Sequence, residues 1–478
     1  HIDHSGLIPL TYVNGFRGQV YSTSATAQLC EIMLRDSAHI QMFEAEWRNR
    51  KAARSGGKLK EFVPLYDMDA AVNVCKQFVG CEYDRVYDIA EGIKIRFTDV
   101  GHLLGSASIE VWATEKTENG DVTEKIVFSG DIGNINKPII KDPKHVRDAD
   151  YVVMESTYGN RSHGGTPNYV EDLTDIFKRT FERGGNVVIP SFAVGRTQEL
   201  LYIIRKIKED NLVGRDFDVY MDSPLAIEAT NIFIKNVESC FDDEAVELVR
   251  KGINPLSFPG LKYATTGDES KQINFDPNPK VIISSSGMCE AGRIRHHLKH
   301  NLWRPECTIV FVGYQAVGTT GRIIVDGAEE IKLFGEPIQI KAEIVQLKGS
   351  SGHADKDGLL CWINAFDTKP KKVFVVHGED SVCDEFTECL KEEYGYDAMA
   401  PYTGGSYDLI ADRVISEGVK ERKTRRTTST QRGKTVFDRL VAAGKRLMTV
   451  ITHNEGGTNK DLAKFTDQIN ALCDKWDR

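Results

Sequence analysis

Hydrophobic positions follow two different rhythms along the chain. Between about residues 25 and 50, Leu29, Ile32, Met33, Ile40 and Phe43 recur at helical spacing, and the first 80 residues as a whole are expected to be helical. Short β-branched runs then take over, each closed by a small or polar residue. Residues 93–100 precede His102, 126–128 precede Asp131, 151–154 precede Glu155 and 186–189 precede Ser191. Further on, 219–221 precede Asp222, 281–283 precede Ser284 and 373–376 precede His377. Helical stretches at 197–208 and 384–393 follow some of these runs, which predicts an α/β fold with buried strands. In open α/β sheets ligands bind beyond the carboxyl ends of the strands, so the polar residues stand where a site would form.

Composition narrows the class. A chain of 478 residues with 41% hydrophobic and 27% charged residues is no disordered polymer, collagen-like fibre or disulfide-dense scaffold, and its length suggests two or three domains. It has no run of eighteen apolar residues and no basic-then-apolar start, so a cytoplasmic protein without membrane association is expected. The ten cysteines are scattered with no CxxC pair, which fits buried thiols rather than a zinc ribbon. A net charge of −9 argues against coating nucleic acid by bulk electrostatics but leaves room for a local basic groove. Residues 412–478 carry 15 Lys+Arg against 9 Asp+Glu, a basic linker and helical C-terminal extension that is either solvated or an accessory RNA or partner contact. The charged stretch 44–60 reads as a solvated helix end.

Candidate chemistry begins at the first residue. His1-Ile2-Asp3-His4 places two imidazoles and a carboxylate within four residues, all ligand types for zinc. The same types recur after the β runs: His102 in Val100-Gly101-His102-Leu103-Leu104-Gly105, Asp131 in Ser129-Gly130-Asp131-Ile132-Gly133, and His377 in Val376-His377-Gly378-Glu379. From Asp131 to His377 is 246 positions, enough for a second α/β module between them. Within that interval lie Met154-Glu155-Ser156-Thr157-Tyr158-Gly159, Pro190-Ser191-Phe192-Ala193-Val194-Gly195-Arg196 and Ser350-Ser351-Gly352-His353-Ala354-Asp355.

Together these motifs resemble the β-CASP branch of the metallo-β-lactamase fold, over about residues 1–410. The resemblance implies an αββα metallo-β-lactamase sandwich with an inserted α/β β-CASP domain. The expected division is 1–165 and 340–411 for the metallo-β-lactamase part, 166–339 for the β-CASP insert, and 412–478 for the extension. It implies two zinc ions, with His1, His102 and Asp131 at the first and Asp3, His4, Asp131 and His377 at the second. The family motif HxHxDH would start two residues before His1. The chain is therefore expected to be a truncated form whose first site is short of one His, with weak or absent activity until the missing segment is restored.

The resemblance also implies the reaction: hydrolysis of phosphodiester bonds in single-stranded RNA by a two-metal-activated hydroxide. His353 would protonate the leaving oxygen, Glu155 would orient it, and Asp3 is counted with them in the catalytic set. The His at 377 tilts the expectation from DNA to RNA. For substrate contacts the candidates are Ser286 and Gly287 in the loop 284–293, Arg293, Arg322 after a second small-residue turn, and Ser350 and Ser351. Helix-terminal N–H groups suit phosphate, but the glycines equally suit tight turns and the arginines solvated charges. Two other readings stand beside this one: a zinc hydrolase of the same fold acting on small esters, thioesters or lactams, and a non-catalytic RNA-processing subunit. Association into a homodimer is compatible with each.

Overall fold

The computed structural model describes residues 2–54, 61–118, 120–162, 164, 168–347, 351–420, 444, 447–448, 450–452 and 459–476. These form two units, residues 1–401 with 407–415, and 402–406 with 416–478. The larger unit is built on two sheets. A seven-stranded sheet has the order Ala398–Met399, Lys372–Val376, Tyr151–Glu155, Gly120–Phe128, Ala107–Thr117, Ile93–Asp99, Val86–Ala90. A six-stranded, wholly parallel sheet runs Leu261–Tyr263, Asp218–Met221, Lys280–Ser284, Val187–Pro190, Thr308–Val312, Glu343–Leu347.

The apolar runs form strands because both faces of the parallel sheet are covered, so every residue of such a strand can be apolar. Alternate residues feed two separate cores. Val187, Ile189, Val281, Ile283 and Val310 pack with Phe177, Leu201 and Ile204 on one side. Val188, Ile282, Ile309 and Phe311 pack with Ile294, Leu298 and Ile324 on the other. In the seven-stranded sheet Val152, Met154, Val373 and Val375 pack against Trp362, Ile363, Phe386 and Leu390.

Three differences from the sequence expectation follow from long-range pairing. The first 80 residues are not wholly helical: Val20–Thr23 and Phe78–Cys81 pair as parallel strands around the helix Ser24–Arg54. On that helix Leu29 and Met33 are buried, but Ile40 and Phe43 are exposed, and Leu34, Ala38 and Ala45 fill the core instead. The strand Glu343–Leu347 pairs with Thr308–Val312, so by sheet membership the return to the first sheet comes after residue 347 rather than at 340.

In the smaller unit Thr403 and Val419 form an isolated bridge, and the helix Asn459–Trp476 carries Leu462, Phe465 and Ile469 half-buried along one face. No helix among the described residues is long and apolar enough to cross a membrane.

Candidate metal centre

Strand direction gathers the chemistry. Ile93–Asp99 and Gly120–Phe128 both run antiparallel to Ala107–Thr117, and Gly120–Phe128, Tyr151–Glu155 and Lys372–Val376 are mutually parallel. All four therefore point the same way, and His102, Asp131, Glu155 and His377 emerge at one end of the sheet. The connecting turns are tightly constrained. Gly101 sits at φ +64°, where a Cβ would be driven to 2.6 Å from the Lys141 carbonyl, and its N–H donates to Asp99 Oδ1 at 2.9 Å. Ser106 Oγ then accepts from the N–H groups of His102 and Leu103, fixing the loop that presents the imidazole.

Asp131 is the centre of the site. Its Oδ1 lies 3.4 Å from His4 Nε2 and 3.6 Å from His377 Nδ1, while its Oδ2 lies 3.8 Å from His102 Nε2. Two triads share it, His4–Asp131–His377 and His102–Asp131–His353, and within each the ligand atoms lie within 4.8 Å of one another. Neutral imidazoles and a carboxylate divided in this way suit two divalent cations of the zinc class. Burial, together with the charges of His353 and Lys137, pushes the His102 imidazole well below its ordinary value, keeping it in the neutral form that ligates metal. Gly352 packs flat against that ring: a Cβ there would come within 2.9 Å of His102 Cε1.

His353 arrives from the segment after the six-stranded sheet, held by a bridge to Gly133 and by Ala354 N–H donating to the Ile132 carbonyl at 2.7 Å. Its Nδ1 meets both oxygens of Glu155, at 3.1 and 3.0 Å. Glu155 is buried and also accepts from the Ile132 N–H at 2.5 Å. Burial opposes the charged imidazole of His353, but the hydrogen bond and charge of Glu155, with Asp131, prevail and hold it above its ordinary value. The structure thus brings together His4, His102, Asp131, Glu155, His353 and His377. Asp3, exposed on the short helix Ile2–Ser5, belongs to neither triad. His1 and Ser350 lie outside the described residues.

The expected substrate contacts are placed differently. The Arg293 guanidinium is committed to the protein, pairing with buried Asp222 at 2.7 Å and donating to the carbonyls of Ala264 and Thr265. Arg322 forks onto Asp326 one turn along its own helix. Gly287 is buried with its carbonyl accepting from Gln315, and the Ser286 hydroxyl turns back to the Ala291 carbonyl at 3.4 Å. Among the described members of this set Ser351 borders the centre: its Oγ accepts from the His353 N–H at 3.2 Å, and it lines a cavity of about 480 Å³ with Ile132, Asn134, Lys137, Arg196 and Trp362. Sequence reasoning had no part for Thr157, whose hydroxyl lies 3.1 Å from His377 Nδ1, although it stands in the quoted Glu155-Ser156-Thr157 motif. Lys137 and Glu199 were missed as well. They are joined only in three dimensions, and no local pattern marks them.

The His/Asp cluster at one end of the mixed sheet, with a parallel α/β module inserted before His377, defines a metallo-β-lactamase fold carrying a β-CASP domain. Residues 197–324 match the model of the Beta-Casp domain, and residues 337–401 match that of the Zn-dependent metallo-hydrolase RNA specificity domain. The chain is 33% identical over 380 residues to a ribonuclease of Thermus thermophilus, covering 80% of each protein. It is 31% identical over 383 residues to an RNase J-like protein of Methanocaldococcus jannaschii, covering 79% of this chain and 80% of that one. It is also 32% identical over 410 residues to the transcription termination factor FttA of Methanosarcina mazei, of whose length it spans 60%. The chain belongs to the metallo-β-lactamase-fold β-CASP ribonuclease family.

Proposed function

We propose that the chain hydrolyses phosphodiester bonds of single-stranded RNA at a two-zinc centre, with His353 as the general acid. The observation that carries this reading is the division of the Asp131 carboxylate between two histidine sets, one of which includes an imidazole already bonded to a buried glutamate. His4, Asp131 and His377 would hold one ion, and His102 with Asp131 the other. Bound zinc supplies Lewis acidity, which makes water a nucleophile at neutral pH and stabilises negative charge on phosphate oxygens.

The chain's own groups do the rest. Glu155 fixes His353 through Nδ1, which leaves Nε2–H to be delivered to the leaving oxygen as the P–O bond breaks. The same carboxylate favours the protonated imidazole that an acid requires. Asn134 and Ser351 line the neighbouring cavity with an amide and a hydroxyl suited to a phosphate-bearing strand. The names of the similar proteins support RNA as the polymer.

The test incubates the zinc-loaded chain with end-labelled single-stranded RNA and DNA of equal sequence and reads product lengths. Cleavage of RNA that falls about 10²–10⁴-fold in His353→Ala is expected. Cleavage unaffected by that substitution, or confined to small esters, would overturn the assignment.

A further inference from the structure

Lys137 lies in the loop after Asp131, and its side chain is only 10% exposed. Its Nζ donates to the His102 carbonyl at 2.9 Å and pairs with Glu199 Oε1 at 3.2 Å. Glu199 in turn takes Arg196 Nη1 on its other oxygen at 2.5 Å. Glu199 and Arg196 stand in the first turn of the helix Arg196–Glu209, which belongs to the six-stranded module, whereas His102 lies in the loop that follows the strand Ile93–Asp99 of the seven-stranded sheet. A second contact fastens the same loop from the same helix. Gly195, the N-cap at φ +85°, sits so close that a Cβ would fall within 2.4 Å of Leu103 Cδ2.

Burying a Lys–Glu–Arg set yields little net stability, because the desolvation cost offsets the attraction. What this set does provide is a direction: an ammonium held by the inserted module and aimed at the backbone of a ligand residue. We propose that Lys137 is a positioning residue of the metal centre. Tethered by Glu199 and Arg196, it fixes the His102 main chain so that His102 Nε2 faces Asp131, and it makes metal affinity at His102 depend on the inserted module. The proposal rests on the metal reading above. Outer-shell partners of this kind commonly change metal affinity about 10–100-fold.

The experiment titrates zinc into the full chain against a chromophoric chelator, with thermal melts of the same samples. His102→Ala identifies the transition that belongs to the His102 site. Lys137→Met is expected to weaken that site about tenfold or more and to leave the His4–His377 site unchanged. Glu199→Gln should act in the same direction, the double variant should be no weaker than Lys137→Met alone, and Lys137→Arg should recover most of the affinity. Unchanged zinc affinity in Lys137→Met, an equal loss at both sites that tracks the melting temperature, or additive effects in the double variant would overturn the relay. Should Lys137→Met fail to fold, Glu199→Gln decides by the same criterion. A wild-type chain that takes up no zinc sinks the metal reading and the relay with it, whereas normal uptake with indifferent variants sinks the relay alone.

Discussion

Asp99→Asn is expected to stabilise the protein at neutral pH and to do nothing for it in acid. Asp99 ends the strand before the His102 loop and is 4% exposed. Burial pushes its carboxyl up to about 6, a rise that the Gly101 N–H and the charges of Lys141 and Lys144 only moderate. Unfolded, the same group titrates near its ordinary value of about 4. The folded state therefore binds this proton more tightly, and its stability advantage, complete below pH ~4, is lost as pH rises through about 6. Two pKa units correspond to about 3 kcal/mol at pH 7.5. Asparagine keeps an acceptor for the Gly101 N–H and removes the ionisable group. Urea unfolding of both chains between pH 4 and 7.5, followed through the transition of the seven-stranded module, should show the variant ahead by about that amount at pH 7.5 and level with the wild type near pH 4. A variant no more stable at pH 7.5, or an advantage that does not shrink in acid, refutes the assignment of a buried, reluctantly ionised carboxylate.

Other outcomes follow from the packing and the centre. A Cβ at Gly133 would lie 2.0 Å from the Gly101 carbonyl and 2.6 Å from the His102 N–H, so Gly133→Ala should destabilise by about 3 kcal/mol or more and perturb the His102 loop, read by melts and hydrogen exchange. At Gly267, the first residue of its helix, a Cβ meets nothing within 4 Å, so Gly267→Ala should be neutral or stabilise by up to about 1 kcal/mol. Trp362→Ala, in the core beneath the strands that carry Glu155 and His377, should cost about 3–5 kcal/mol in denaturant unfolding. Chelation should lower the melting temperature and abolish RNA cleavage, both restored by zinc, because a ligand that binds only the folded state stabilises it.

The strand ends were legible because fully covered parallel strands leave uninterrupted apolar runs, so the polar residue that stops each run stands out. Glu155 and His377 are adjacent in space for this reason: their strands pair with Val376 beside Glu155. The strand Ala107–Thr117 was not legible, since Glu110, Glu115 and Lys116 break its apolar character. Glu110 is buried only because Arg96, Thr98 and Lys125 meet its carboxylate from neighbouring strands. Arg293 looked available for phosphate because Asp222, 71 positions away, could not be seen approaching it. Of the metal set, identity was local and partnership was not. The sequence names His102 but is silent on the Lys137 ammonium that props its carbonyl.

Glu155 and His353 stand 198 positions apart, with the whole six-stranded module made in between. At about 5–20 residues per second of synthesis, the ribosome needs on the order of 10–40 s to reach His353 after the glutamate that holds it has been made. His377, of the second triad, comes later still. A chain wired in this order keeps the Glu155–His353 pair and the His4–Asp131–His377 cluster unassembled until synthesis has passed through the whole inserted module and the strand Lys372–Val376.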